Sequence, residues 1–186
     1  MKEIALTSVL SGATRGQQTL AKLLPEAASE PSLPEPIFLD FEGVEVATAS
    51  FLRESVLAFR NMVRGRRSKL YPVIANMTEM VREDLSELVK SRGEVFMTCR
   101  LNEEGTVSDS ALIGDLEPKQ RLTFDLVSER GETDAAALMR DFGESEGVRH
   151  ATAWNNRLSS LAALGLIVEM SNGRAKRYRP LFVEAH

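Results

Sequence analysis

The sequence predicts a mixed chain, α/β in its first part and α+β overall: an α/β domain over residues 1–114, then a small helical domain over 115–186 that closes with a β-hairpin. Three observations carry this. Strand-like and helix-like runs alternate from Lys2 to Leu101, the pattern of helices packed on a sheet with several parallel strands. Three helix-like runs follow between Glu117 and Leu164. Two strand-like runs then flank Asn172-Gly173, a strong hairpin signal.

The elements follow in order. Lys2–Leu10 alternates Ile4, Leu6, Ser8 and Leu10 and predicts a strand. Thr14–Leu24 carries Leu20, Leu23 and Leu24 at helical spacing and stops at Pro25, and Glu26–Pro36 reads as a surface loop. Pro36–Phe41 is a short apolar run that suits a buried strand, turned by Glu42-Gly43. Ser50–Arg64 aligns Leu52, Val56, Phe59 and Val63 in one stripe, with Ser50 as the expected N-cap. The basic run at 64–69 is expected to be a solvated connector. Strands are expected at Tyr71–Met77 and Glu94–Leu101, around a helix at Thr78–Ser91 with Val81, Leu85 and Leu88 inward. Polar Glu103–Asp115, with Gly105 and Gly114, reads as the hinge between domains. Glu117-Pro118 opens the next helix, with Leu122, Leu126 and Val127 inward. Thr133 is the expected cap of Asp134–Phe142, which offers Ala136, Leu138 and Met139 to the core. His150–Leu164 is the last helix, ended by Gly165 in the left-handed conformation.

Composition narrows the function classes. At 43% hydrophobic and 27% charged, the chain can bury a real core and is not of a disordered type. No apolar run approaches the ~18 residues of a membrane span. The N-terminus, with one base and then alternation, makes a poor secretory signal. One cysteine, Cys99, allows no internal disulfide and sits in an apolar run as a buried strand residue. One Cys and two His argue against a metal site of the usual ligands. The expectation is a cytoplasmic protein with no cofactor and no metal.

A net charge of −4 looks wrong for a nucleic-acid binder, so its distribution matters. From Gly147 onward the bases are Arg149, Arg157, Arg174, Lys176, Arg177 and Arg179, against only Glu169 and Glu184. A local basic face is the footprint that counts for phosphates. On the last helix, Ala151, Trp154, Leu158 and Leu161 share the core side, while Arg149, Thr152, Asn156 and Ser159 share the other with no acid among them. Short polar groups and one Arg are what a helix needs to read base edges in the major groove. Asn156 suits adenine, and Arg149 suits guanine or phosphate. Asn155 and Arg157 on the flanks suit backbone contacts, and Arg174, Lys176 and Arg177 in the hairpin would reach phosphates or the minor groove. The stretch WNNRLSSLAALGLIVEMSNGRAKRYRPL resembles the last helix and wing of winged helix-turn-helix regulators of the MarR type. The resemblance implies duplex DNA as partner and a homodimer on a two-fold site. Winged helices also serve as protein-docking modules, which is the alternative reading.

The run IFLDFEGVEVATASFLRESVLAF resembles the central segment of the STAS-like domain family, small α/β domains known mostly from prokaryotic sequences. Relatives among the anti-sigma-factor antagonists share a strand ending in Asp, a loop, and a helix whose start carries a phosphorylatable Ser. On that pattern Asp40 ends the strand, and the phosphoacceptor position falls on Ala49, with Ser50 beside it. Alanine accepts no phosphate, so that switch does not carry over. Asp40, Ala49, Ser50 and Glu54 are the expected partner surface, where a regulatory protein docks. The acids Asp40, Glu42 and Glu45 lack a nearby His, a Ser elbow or metal-ligand partners, so no enzyme is expected.

Overall fold

The computed structural model of the chain describes residues 1, 7–172 and 175–182. The fold is mixed α/β, and it divides into two compact units, Met1–Asp115 and Leu116–His186.

In the first unit the apolar runs form parallel strands, and parallel neighbours need helical crossovers. β1 (Val9–Leu10) precedes α1 (Ala13–Leu23), which runs on into a 3-10 turn at Leu24–Ala27. β2 (Glu35–Asp40) and β3 (Val46–Ala47) lead to α2, built as Ala49–Leu52, a π-helical turn Arg53–Leu57, and Ala58–Gly65. β4 (Leu70–Ala75), α3 (Glu79–Arg92), β5 (Phe96–Leu101) and β6 (Val107–Ile113) complete it. The main sheet has the order β2-β4-β5-β6, with β2, β4 and β5 parallel and β6 antiparallel at the edge. β1 and β3 form a separate short parallel pair.

Both crossover helices share one core with the sheet. Leu52, Val56, Phe59 and Val63 from α2 and Val81, Leu85, Leu88 and Val89 from α3 cluster with Leu39, Leu70, Ile74, Phe96 and Ile113. Each such side chain contributes roughly 1.5–3 kcal/mol by leaving water. Tyr71, Val73 and Ala75, which alternate with the core-facing residues of β4, are buried too. A strand buried on both faces reads as a continuous apolar run, as this one does.

Several expectations are corrected. Of the strand expected at Lys2–Leu10, Val9–Leu10 is extended and Thr7 and Ser8 bend; the rest lies outside the described residues. The cap of α2 is Thr48, whose hydroxyl accepts the Phe51 N–H, and not Ser50. The 64–69 run is not a solvated connector throughout. Arg64 donates to the Ser68 and Leu70 carbonyls at 2.6 and 3.0 Å and lies over the Tyr71 ring, and Arg66 donates to the Ala27 carbonyl.

Glu103–Asp115 is not a polar linker throughout, because Val107–Ile113 of it forms β6. Its polar character is that of an edge strand with one face in water. The Asn102 side chain closes the hairpin by accepting the Glu104 and Thr106 N–H groups. Gly114 has φ +97, and a Cβ there would lie 2.2 Å from the Glu94 carbonyl oxygen. Gly114→Ala is therefore expected to cost about 2–4 kcal/mol through positive-φ strain and a backbone clash. A chemical-denaturation midpoint indistinguishable from that of the unmutated chain would contradict this packing.

In the second unit α4 (Pro118–Arg130), α5 (Ala135–Phe142) and α6 (Ala151–Leu164) precede an antiparallel hairpin of β7 (Ile167–Asn172) and β8 (Ala175–Pro180). Thr133 adds one residue of a third strand, exchanging both backbone hydrogen bonds with Tyr178 at 2.9 and 2.8 Å. That backbone role takes Thr133 out of capping. Asp134 caps α5 instead, accepting the Ala137 N–H at 2.8 Å. Leu126, Val127, Leu138, Trp154, Leu158, Leu161, Ile167, Val168 and Tyr178 are buried. Leu122 and Met139 are half-buried, whereas Ala136, expected inside, faces water.

Candidate nucleic-acid interface

The sequence places one apolar stripe on α6, and that stripe fixes which side is left outward. Trp154, Leu158 and Leu161 are fully buried and Ala151 half-buried. Gly165 ends the helix at φ +82, and its N–H returns to the last turn. What remains exposed is Arg149, just before the helix, with Thr152, Asn155 and Asn156 on it. These four form an outward polar stretch without an acid.

Two expected members are engaged inward. The Ser159 hydroxyl lies 3.1 Å from the Tyr178 hydroxyl. Arg157 is half-buried, with its guanidinium carbon 4.6 Å from the centre of the Trp154 ring. Its Nη1 and the Trp154 Nε1 are buried without a hydrogen-bond partner among the described residues. Arg157 thus braces the core tryptophan from the flank where a phosphate contact was expected.

The hairpin is held to α6 by Tyr178, a residue the sequence reading passed over between two arginines. It is fully buried, and burial pushes its hydroxyl above the usual tyrosine range. The hydroxyl meets Ser159 on one side and Glu169 at 3.4 Å on the other. Among the described residues the exposed hairpin cations are paired: Lys176 Nζ lies 2.8 Å from Glu169, and Arg177 Nη1 lies 2.6 Å from Glu132. Arg179 is half-buried and donates to the Pro180 carbonyl at 3.1 Å. Arg174 lies outside the described residues. Glu132 and Glu169 were not foreseen as neighbours of these bases, since only the turn before α5 and the hairpin register bring them there.

In the first unit the expected partner surface is split. Asp40 Oδ1 accepts the Glu42 N–H and the Asn76 side-chain amide, both at 3.0 Å. Asn76 in turn accepts the Leu101 N–H at 2.9 Å, so these two side chains tie together the ends of β2, β4 and β5. The ammonium group of Met1 donates to the Asp40 carbonyl. At the start of α2, Ala49 is exposed and the Ser50 hydroxyl lies 3.2 Å from that of Thr48. Gly16 lets α1 close on α2, because a Cβ there would meet Phe51 O and Glu54 Cβ at 2.8 Å. That approach brings Gln17 to Glu54 at 3.2 Å. Hydrogen bonds from Arg53 and then Gln17 hold the Glu54 carboxyl below its usual range.

Other chemistry is sparse. Cys99 is buried on β5, and burial, helped by the Asp40 charge, pushes its thiol up to about 11. A thiol held protonated at neutral pH is a poor nucleophile. Among the described residues, no three His, Cys, Asp or Glu side chains are grouped to hold a metal ion, and no helix is long and apolar enough to cross a membrane. No family model matches the chain, and none of the curated proteins does.

Proposed function

We propose that the chain is a prokaryotic, cytoplasmic DNA-binding transcription regulator. The second unit acts as a winged helix that reads duplex DNA with α6, and the first, a STAS-like domain, mediates partner binding or homodimer formation. The observation that carries this reading is the exposed, acid-free polar face of Arg149, Thr152, Asn155 and Asn156, next to a hairpin bearing Lys176 and Arg177. A helix with such a face suits the major groove, where amide side chains pair bidentately with adenine. The start of α2, with Ala49 exposed and Ser50 and Glu54 part-covered, is the surface proposed for the first unit's partner.

The test is a titration of the full chain against random and native flanking duplexes at two salt concentrations. Salt-sensitive binding that prefers the flanking duplex is expected. Asn156→Ala should then cost about 1–3 kcal/mol on the preferred site and little on random sequence. Equal losses on both would remove Asn156 from base reading.

One observation favours a second reading. Lys176 and Arg177 both already hold carboxylate partners, which suits a helix face that docks protein in a switch of the anti-sigma-antagonist kind. Absence of DNA binding at low salt, with a protein that co-purifies on the second unit, would select it.

A further inference from the structure

The hairpin's ion pairs bear on how tightly it would hold DNA phosphate, an inference that rests on the DNA-binding reading above. Arg177 Nη1 lies 2.6 Å from Glu132 Oε1, and both side chains are largely in water, at 56% and 44% exposure. Glu132 sits on the turn between α4 and α5, next to Thr133, whose backbone pairs with Tyr178. The carboxylate is thus positioned by the same bridge that carries Arg177's neighbour on β8. Across the hairpin, Glu169 spans Lys176 Nζ at 2.8 Å and the Tyr178 hydroxyl at 3.4 Å. Each carboxylate oxygen occupies, on its cation, the place a phosphate oxygen would take.

Two further facts fix what this arrangement does. Exposed pairs of this kind are weak, so they exchange readily for another anion. Non-specific affinity for duplex DNA comes almost wholly from phosphate neutralisation, whereas specific affinity adds base contacts. A carboxylate that must be displaced from each hairpin cation therefore subtracts from every phosphate contact that cation makes, and on random duplex no base contact makes up the loss.

We propose that Glu132 restrains phosphate binding by the hairpin: its carboxylate competes with DNA phosphate for Arg177, as that of Glu169 does for Lys176. The hairpin then grips duplex DNA firmly only where contacts from α6 hold the two together.

The experiment titrates random-sequence duplex with the full chain and with Glu132→Gln, Arg177→Gln and the double variant, over a range of salt. Glu129→Gln, which removes an exposed charge from the end of α4, controls for a general change in net charge. Glu132→Gln is expected to bind random duplex roughly 2–5-fold more tightly. Its affinity should also fall more steeply with salt, by about one phosphate contact. Both gains should vanish in the Arg177→Gln background, and Glu129→Gln should give a smaller gain. A gain that survives without Arg177, or is matched by Glu129→Gln, overturns the competition and leaves DNA binding standing. No salt-sensitive binding by the unmutated chain removes the DNA reading itself, and this inference with it.

Discussion

Glu94→Ala is expected to cost about 3–5 kcal/mol of folding stability, far more than its partly exposed position suggests. The reason lies on α2. Arg60 keeps only 3% of its side chain in water, and its guanidinium lies 4.5 Å from the centre of the Phe96 ring. Its Nη2 donates to the Glu94 carboxylate, while its Nε has no hydrogen-bond partner among the described residues. Glu94 is the counter-charge that makes burial of that cation tolerable. Removing it leaves a desolvated charge against an aromatic ring. Removing the arginine instead is a different event. Arg60→Met retains most of the volume, deletes the buried charge together with its unpartnered Nε, and leaves Glu94, 23% exposed, to rehydrate. Its expected cost is below about 1 kcal/mol, and the double variant should recover most of what Glu94→Ala loses. Urea midpoints at constant slope measure all three. A Glu94→Ala midpoint within about 0.5 kcal/mol of the unmutated chain, the range of an ordinary surface change, would show that Arg60 finds other solvation.

The same arginine shows where a sequence stops informing. The stripe Leu52, Val56, Phe59 and Val63 was legible because burial repeats with the helical period, and the sheet core was legible because β4 is apolar throughout. Arg60 lies four residues after Val56 and three before Val63, on the buried face of the same helix. A charge at that phase signals a buried partner, but nothing local says the partner is Glu94, beyond α3 and a left-handed Gly93. Caps were ambiguous for a related reason. Thr48 precedes α2 and Ser50 is its second residue, while Thr133 and Asp134 both precede α5; only backbone geometry selects the cap of each. β6 was missed because an edge strand with one wet face has the composition of a loop.

The candidate interface divides along the same line. The outward residues of α6 followed from the position of Trp154, Leu158 and Leu161 alone. Arg157 over Trp154 was within reach too, since residues three apart share a helix face. The engagement of Ser159 with Tyr178 and the pairing of Arg177 with Glu132 depend on how the hairpin folds back, and no periodicity encodes that. Charge counted along the chain therefore overstated the free positive charge of the hairpin.

Trp154→Ala is expected to cost about 3–5 kcal/mol and to abolish whatever α6 binds, although Trp154 is turned away from the proposed DNA face. Trp154 is fully buried and is the largest buried side chain of the second unit, so truncation leaves a cavity that a small unit has few side chains to fill. It also removes the surface on which Arg157 rests. A milder replacement separates packing from polarity. The Trp154 Nε1 is buried without a hydrogen-bond partner among the described residues, and such an orphan donor costs roughly 1–3 kcal/mol. Trp154→Phe deletes that donor while keeping an aromatic ring for Arg157 to pack on. The relief offsets part of the lost volume, so its net cost should stay near ~1 kcal/mol, with the α6 face still presented. Far-UV circular dichroism in urea gives the stability of both variants without relying on the chain's one tryptophan. A Trp154→Phe variant as damaged as Trp154→Ala would mean that the indole N–H is satisfied in solution, by a bound water for example. The core side of α6 would then have a polar requirement that its apolar stripe does not reveal.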